Sequence, residues 1–221
     1  MAALTAATAA TLLEESRYDV AILPRLEAYV DAQCSSQSYD LDANLATLKL
    51  YQFHPAQLKA PVVAKILVKA LMNLPNTDFL LCTYLIPERV LDAAPISTIC
   101  SVASLLETCS FREFWGALEP LKAELAAAPG FEKAIRAFIL GTLEITFQGV
   151  PTAHVKASLG LKDDAAVAAL VKEKGWTISG DLVKVSLNAN NQPRPKQVQA
   201  EAMSFPQMTK ILSAVAASSG S

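Results

Sequence analysis

From Tyr18 to Gly149 the apolar residues recur at spacings of three and four, and prolines cut that pattern into short pieces. This constrains the chain more than any other feature. A period near 3.6 puts one greasy stripe on each helix. A proline inside such a pattern removes a backbone donor and stops or kinks the helix. Ile22, Leu26, Tyr29 and Val30 fall on one face. Leu41, Leu45, Leu48 and Tyr51 or Gln52 extend a second stripe, with Asp40 predicted as its N-cap and Asp42 in the first turn. A third helix is predicted from Pro61 through Val62, Ile66, Leu67, Ala70 and Leu71, with Lys65 and Lys69 on its outer side. Asn73 to Asn76 reads as a turn, and Thr77 or Asp78 caps a short helix that Pro87 stops. Helices follow over 96–108 and 111–125, the second broken at Pro120, and over 131–147. Short helices joined by proline-marked turns describe stacked hairpins in a solenoid-like arrangement, without a crisp sequence period.

The pattern changes after residue 150. Short helices are predicted over 150–160 and 163–174, and Gly175 ends the second. Ile178 then starts one strand, and Leu182–Leu187 alternates like a second. Helices followed by a β-hairpin is the winged-helix order. The expected organisation is a flexible tail over 1–15, a helical-repeat domain over 16–149, a winged helix over 150–190, and a loop and helix over 191–221. That last helix lies at Gln197–Met203 or Pro206–Ala217.

Composition narrows the function. Of the 221 residues, 52% are apolar and only 18% charged, which permits a sizeable core. Either partners cover part of that apolar surface, or exposed alanines account for it. The formal charge is −2, with −5 in residues 1–150 and +3 in 151–221. A split this mild supports a two-part chain more than a nucleic-acid-binding face. Cys34, Cys82, Cys100 and Cys109 form no CxxC pair, and His54 and His154 are the only histidines, so zinc spacing is absent. Buried, reduced thiols are expected. The N-terminus has no basic segment before its first acids, and the longest uncharged apolar run, 93–106, falls short of the ~20 residues of a membrane span. These features predict a soluble, intracellular chain without a membrane segment.

Catalytic constellations are missing. Asp40-Leu41-Asp42 opens like a calcium loop, but Leu45 and Tyr51 stand where glycine and glutamate are required. P-loop, GxGxxG, GxSxG and HExxH patterns do not occur, and no catalytic, metal or cofactor residue is predicted. Two docking surfaces are predicted instead. Leu182, Val183, Lys184 and Val185 are expected at a sheet edge open to a partner strand. Phe205, Met208, Ile211 and Leu212 have helical spacing and pack on this chain or enter a partner's bundle. Lys172, Lys174, Arg194 and Lys196, joined by Lys184, form a modest basic set able to graze RNA, though Asp163 and Asp164 would repel phosphate. Trp176 is expected to pack the hairpin onto the helices, and Phe114 and Trp115 to pack between helices.

Several segments, taken together, carry a resemblance. Ser38–Phe53 (SYDLDANLATLKLYQF) and Lys69–Phe79 (KALMNLPNTDF) are similar to stretches of subunit k of eukaryotic translation initiation factor 3. So are Leu105–Cys109 (LLETC), Phe114-Trp115, Gly130–Glu132 (GFE) and Lys174–Trp176 (KGW), collinear over residues 16–187. The resemblance implies a HEAT-like helical-repeat domain followed by a winged helix, a PCI-like module related to those of the proteasome lid and signalosome. It implies a non-catalytic scaffold subunit of a cytoplasmic, and also nuclear, multisubunit complex that binds the small ribosomal subunit during translation initiation. Subunit l would be the direct neighbour. The alternatives are a winged-helix nucleic-acid-binding regulator and a related subunit of the lid or signalosome.

Overall fold

The computed structural model describes residues 4–193 and 204–218. The chain up to Asn191 forms one compact unit, and the segment from Gln192 forms a second.

The first helix, α1 (Ala6–Ser16), departs from the expected tail. Thr5 and Thr8 close a reciprocal capping box, with Thr8 Oγ1 accepting from Thr5 N at 2.8 Å. Ala9 and Leu13 are buried in the core, which holds the helix down. After a 3₁₀ turn at Val20–Ile22, α2 (Leu23–Ser36) and α3 (Leu41–Phe53) pack against each other. Asp40 caps α3 as predicted, its carboxylate accepting from Ala43 N at 3.1 Å and from the Tyr29 hydroxyl at 3.2 Å. Asp42 pairs with Arg17. Both acids of the calcium-like opening are therefore engaged in helix capping and ion pairing.

Two buried polar knots fix the register of α2 on α3. Gln33 and Asn44 exchange amide hydrogen bonds at 3.0 and 3.3 Å, and Gln33 Oε1 also accepts from Asp40 N. Glu27 accepts from the Tyr51 hydroxyl and from Lys59 Nζ, each at 2.6 Å. Buried polar groups carry a penalty unless paired, so satisfied knots favour one register over its neighbours.

Helix α4 (Ala60–Leu71) is the centre of the helical part, lying against α2 and α3 and the later helices. Val63, Ile66, Leu67 and Ala70 are fully buried. Each Ile or Leu of this kind contributes ~1.5–3 kcal/mol by leaving water. Lys69 does not lie on the outer side as predicted; it is 4% exposed. A helix packed on several sides has no free face for every polar residue, so the long aliphatic stem is enclosed with the core. Burial pushes its ammonium below the usual lysine range, and Cys34 opposes that shift.

Short helices α5 (Asp78–Thr83) and α6 (Glu88–Leu91) lead to α7 (Ile96–Glu107) and α8 (Phe111–Ala117). The break predicted at Pro120 is a 3₁₀ turn at Glu119–Leu121, after which α9 (Lys122–Ala126) begins. Helix α10 (Phe131–Thr146) completes this part, with Phe131, Ile135 and Ile139 buried.

The winged helix begins with a strand that the periodicity did not indicate. Residues 149–151 form β1 (Gly149–Pro151) rather than the start of a helix, and α11 (Thr152–Leu159) follows. Next come α12 (Asp164–Glu173), β2 (Thr177–Ser179) and β3 (Leu182–Lys184). The strand over 182–187 is thus shorter than expected, although Val185 N still donates to Gln148 O at 2.9 Å. The second unit holds α13 (Phe205–Ser218), close to the Pro206–Ala217 alternative; 197–203 lie outside the described residues.

Candidate partner-binding surface

The winged helix is fixed to the helical part through α8 and α10. Trp115 Nε1 donates to Ser158 O at 2.8 Å, and Arg136 Nε donates to Leu159 O at 3.1 Å. These are carbonyls of the last turn of α11, which lack intrahelical partners. The Arg136 guanidinium lies 5.0 Å from the Trp115 ring centroid, a cation–π stack that fixes both side chains. Gly160 then turns the chain at φ +61°, with Leu161 N bonded to Lys156 O at 3.1 Å and Gly160 N to Ala157 O at 3.3 Å. That is a Schellman cap. The same cap ends α12 at Gly175, where Trp176 N reaches Val171 O and Gly175 N reaches Lys172 O. It delivers Trp176 into the core at 4% exposure, the packing role expected of it.

The sheet order is β1-β3-β2, both pairings antiparallel. Val183 faces Val150 on one side and Ile178 on the other. This corrects the edge prediction for Leu182, Val183, Lys184 and Val185. Strand β3 is the centre of the sheet, because β1, far earlier in sequence, pairs with its other side. Its backbone is already paired on both flanks. Val183 and Val185 are core residues at 0% and 5% exposure, while Leu182 and Lys184 point outward. Beside them β2 is exposed along all three residues, including Ile178, and no further strand covers its outer side among the described residues.

The basic set is scattered and partly neutralised. Lys174 lies 3.4 Å from Glu144, and Lys156 pairs with Asp164 at 2.6 Å. Lys172 stands exposed at the C-terminal end of α12, opposite its acidic N-terminus. Arg194 and Lys196 lie outside the described residues.

Phe205, Met208, Ile211 and Leu212 share one side of α13, and all four are exposed. A helix with an apolar face this open meets the condition for a docking helix.

Loop 188–191 is a feature the sequence reading missed. Asn191 Nδ2 lies 3.2 Å from Glu144 O, 3.2 Å from Phe147 O and 3.0 Å from Ser186 O. Asn191 Oδ1 accepts from Asn188 N at 2.8 Å, and Asn188 Nδ2 donates to Glu144 O at 2.9 Å. The Glu144 carbonyl in the last turn of α10 and the carbonyl of its C-cap Phe147 are thereby satisfied from 44 or more residues away. The only sequence signal was an asparagine-rich loop, which does not reveal its target.

Two of the four free thiols, Cys34 and Cys82, are buried; Cys100 is intermediate and Cys109 exposed. Among the described residues no three His, Cys, Asp or Glu side chains converge in a metal-binding cluster. Among those residues no helix is long and apolar enough to cross a membrane.

A stack of short helices joined to a β-α-α-β-β winged helix defines a PCI-like chain. The chain belongs to the CSN8/PSMD8/EIF3K family, whose sequence pattern matches residues 57–197. It is 38% identical to eukaryotic translation initiation factor 3 subunit K of Danio rerio over 196 residues, covering 89% of each chain. Identity to the Homo sapiens protein of that name is 39% over 180 residues, 80% of this chain and 83% of the relative. For the Nematostella vectensis protein it is 36% over 215 residues, 97% and 99% of the two chains.

Proposed function

We propose that this chain is a non-catalytic scaffold subunit of the eukaryotic translation initiation factor 3 complex, acting in the cytoplasm. In this reading it supports assembly of that complex on the small ribosomal subunit during initiation. The observation that carries the reading is end-to-end likeness to relatives named as subunit K, reaching 97% of this chain. The exposed apolar residues of the wing and of α13 support it, each within its own unit. The apolar side of α13 and the outward residues Leu182 and Ile178 of the wing are the surfaces we assign to neighbouring subunits, with subunit l as the direct neighbour. The helical part over 16–149 serves as the body on which the wing is held. Lys172 and Lys174 make at most a peripheral RNA contact, because Glu144 offsets the charge of Lys174 and leaves Lys172 without a basic cluster around it.

Gradient sedimentation of tagged full-length chain from native lysate tests this. Co-migration with initiation factor 3 subunits and 40S fractions is expected. Replacing Phe205 and Leu212 by Asp, both exposed, should reduce that co-migration without lowering the melting temperature. A chain that migrates as a free monomer, away from both, overturns the reading.

A further inference from the structure

The helical part carries a second surface, on the side of α1 and α3. Tyr18 and Phe53 are 65% and 51% exposed, yet their rings lie together at a centroid distance of 6.2 Å. Tyr18 also lines a hollow of about 240 Å³, together with Leu45 and Ala46 of α3, Leu85 after α5 and the charged Arg17, Asp42 and Lys49. Tyr84, next to Leu85, is 72% exposed. Single exposed apolar residues are ordinary, but aromatics gathered around a concave apolar floor mark a contact surface. Tyrosine is a residue type over-represented among interface anchors.

The charges around this hollow choose the partner. Its own cations are engaged: Arg17 pairs with Asp42, while Lys49 donates to Gln52 at 2.8 Å and lies 5.0 Å from the Phe53 ring centroid. A second, wider hollow of about 680 Å³ shares Arg17 and Tyr18 and is walled by Glu14, Glu15 and Asp19. All three acids are exposed, and among the described residues none has an ion-pair partner. Asp19 also accepts from Ala21 N at 2.9 Å, whereas Glu14 and Glu15 have no ion-pair partner among the described residues. With Lys49 the only cation lining the two hollows that is not ion-paired, the acids leave this rim net anionic. An anionic rim beside an apolar hollow favours a cationic partner with an apolar anchor, and it repels a phosphate backbone.

We propose that this surface docks a basic segment of a partner polypeptide. One large apolar side chain of that segment enters the hollow between Tyr18 and Leu85, and flanking lysines or arginines meet Glu14, Glu15 and Asp19. The proposal rests on the reading of the chain as a complex subunit, and it adds a contact on the helical part to the one assigned to the wing.

Photo-crosslinking in the assembled complex tests it. A photo-reactive residue replaces Tyr84 in the full-length chain, and the cross-linked peptide is identified by mass spectrometry. The expected product is one segment of a partner subunit in which Lys or Arg residues flank an aliphatic or aromatic side chain. Adding E14K and E15K should lower the yield at least fivefold. Cross-links to RNA, to an acidic segment or to a second copy of this chain overturn the proposal, as does a yield that the charge reversals leave unchanged. A chain that co-sediments with the complex but gives no cross-link sinks the docking site and leaves the subunit reading intact. A chain that gives the expected cross-link away from initiation factor 3 sinks the subunit reading and leaves the docking site.

Discussion

The indole of Trp115 lies so close over Gly160 that a Cβ built there would stand 2.6 Å from ring Cδ2 and 2.7 Å from Cγ. This contact joins α8 to the end of α11, and its absence of side chain is as much a part of it as the ring. Gly160 is also at φ +61°, a conformation that L side chains rarely adopt. Gly175 ends α12 in the same conformation, at φ +69°, but nothing lies within 4 Å of its would-be Cβ. The two glycines separate backbone strain from steric exclusion. G175A should cost about 1 kcal/mol, from the left-handed backbone alone. G160A should cost about 3 kcal/mol, because overpacking adds to the same strain. Urea unfolding of both variants checks this. Equal costs would mean that the indole moves aside freely.

Cys109 occupies the left-handed position of a Schellman cap on α7, at φ +58°, with Ser110 N bonded to Leu105 O at 2.8 Å. Glycine is the residue that this position favours. C109G should therefore raise stability, by about 0.5–1 kcal/mol. The residue is exposed, so no core packing is lost. A shift of the urea midpoint to lower concentration would contradict this account.

Asn191 satisfies carbonyls on α10 and near the end of β3 through a single amide. N191A should destabilise the chain by about 1–2 kcal/mol, because the Phe147 and Ser186 carbonyls each lose a half-buried bond from the Asn191 amide. N191D should be worse, since a carboxylate would face the same carbonyls. Hydrogen exchange should speed up first in β1 and the last turn of α10. Exchange unchanged both in β1 and in the last turn of α10 would show that the loop does not clamp this junction.

Stability should fall as pH rises above about 9. Burial raises the thiol pKa of Cys34 and Cys100, and that of Cys82 is pushed up to about 12, with Asp78 adding to the effect. Burial, with Asp78 and Glu27 respectively, likewise raises the phenols of Tyr39 and Tyr51 above their usual value of 10.0. The unfolded chain releases these protons first, so it binds fewer protons than the native state and gains on it with pH. Lys69 acts in the opposite sense, because its folded pKa lies below 10.5. Urea unfolding between pH 8 and 10.5 should show a net decline that C82A flattens and K69M steepens. Flat or rising stability over that range would reject this assignment.

Helix identity was legible because amphipathic spacing, caps and prolines act locally. Asp40 capped α3, Pro120 broke the segment it was expected to break, and Gly175 ended α12. Strand β1 was not legible: three residues that include a glycine and a proline show no alternation. Helix α1 reads as an alanine-rich tail until Ala9 and Leu13 find the core. The apolar spacing of Phe205, Met208, Ile211 and Leu212 was visible in sequence, and so was the sparse basic set at Lys172 and Lys174.

What the sequence by itself determined, then, was the run of short helices, the winged-helix order, the kinship and the helical spacing near the C-terminus. These depend on dihedral preferences, on side chains a few residues apart and on collinear runs of residues. Tertiary structure alone decided that Leu182–Lys184 is central in the sheet, that Lys69 is enclosed, and that Asn191 clamps α10. It also decided that Tyr18, Leu45 and Leu85 line one hollow and that Phe53 lies against Tyr18. Each of these rests on groups tens of residues apart meeting in space. Which distant segment arrives is set by how the whole core packs, and no local spacing encodes it.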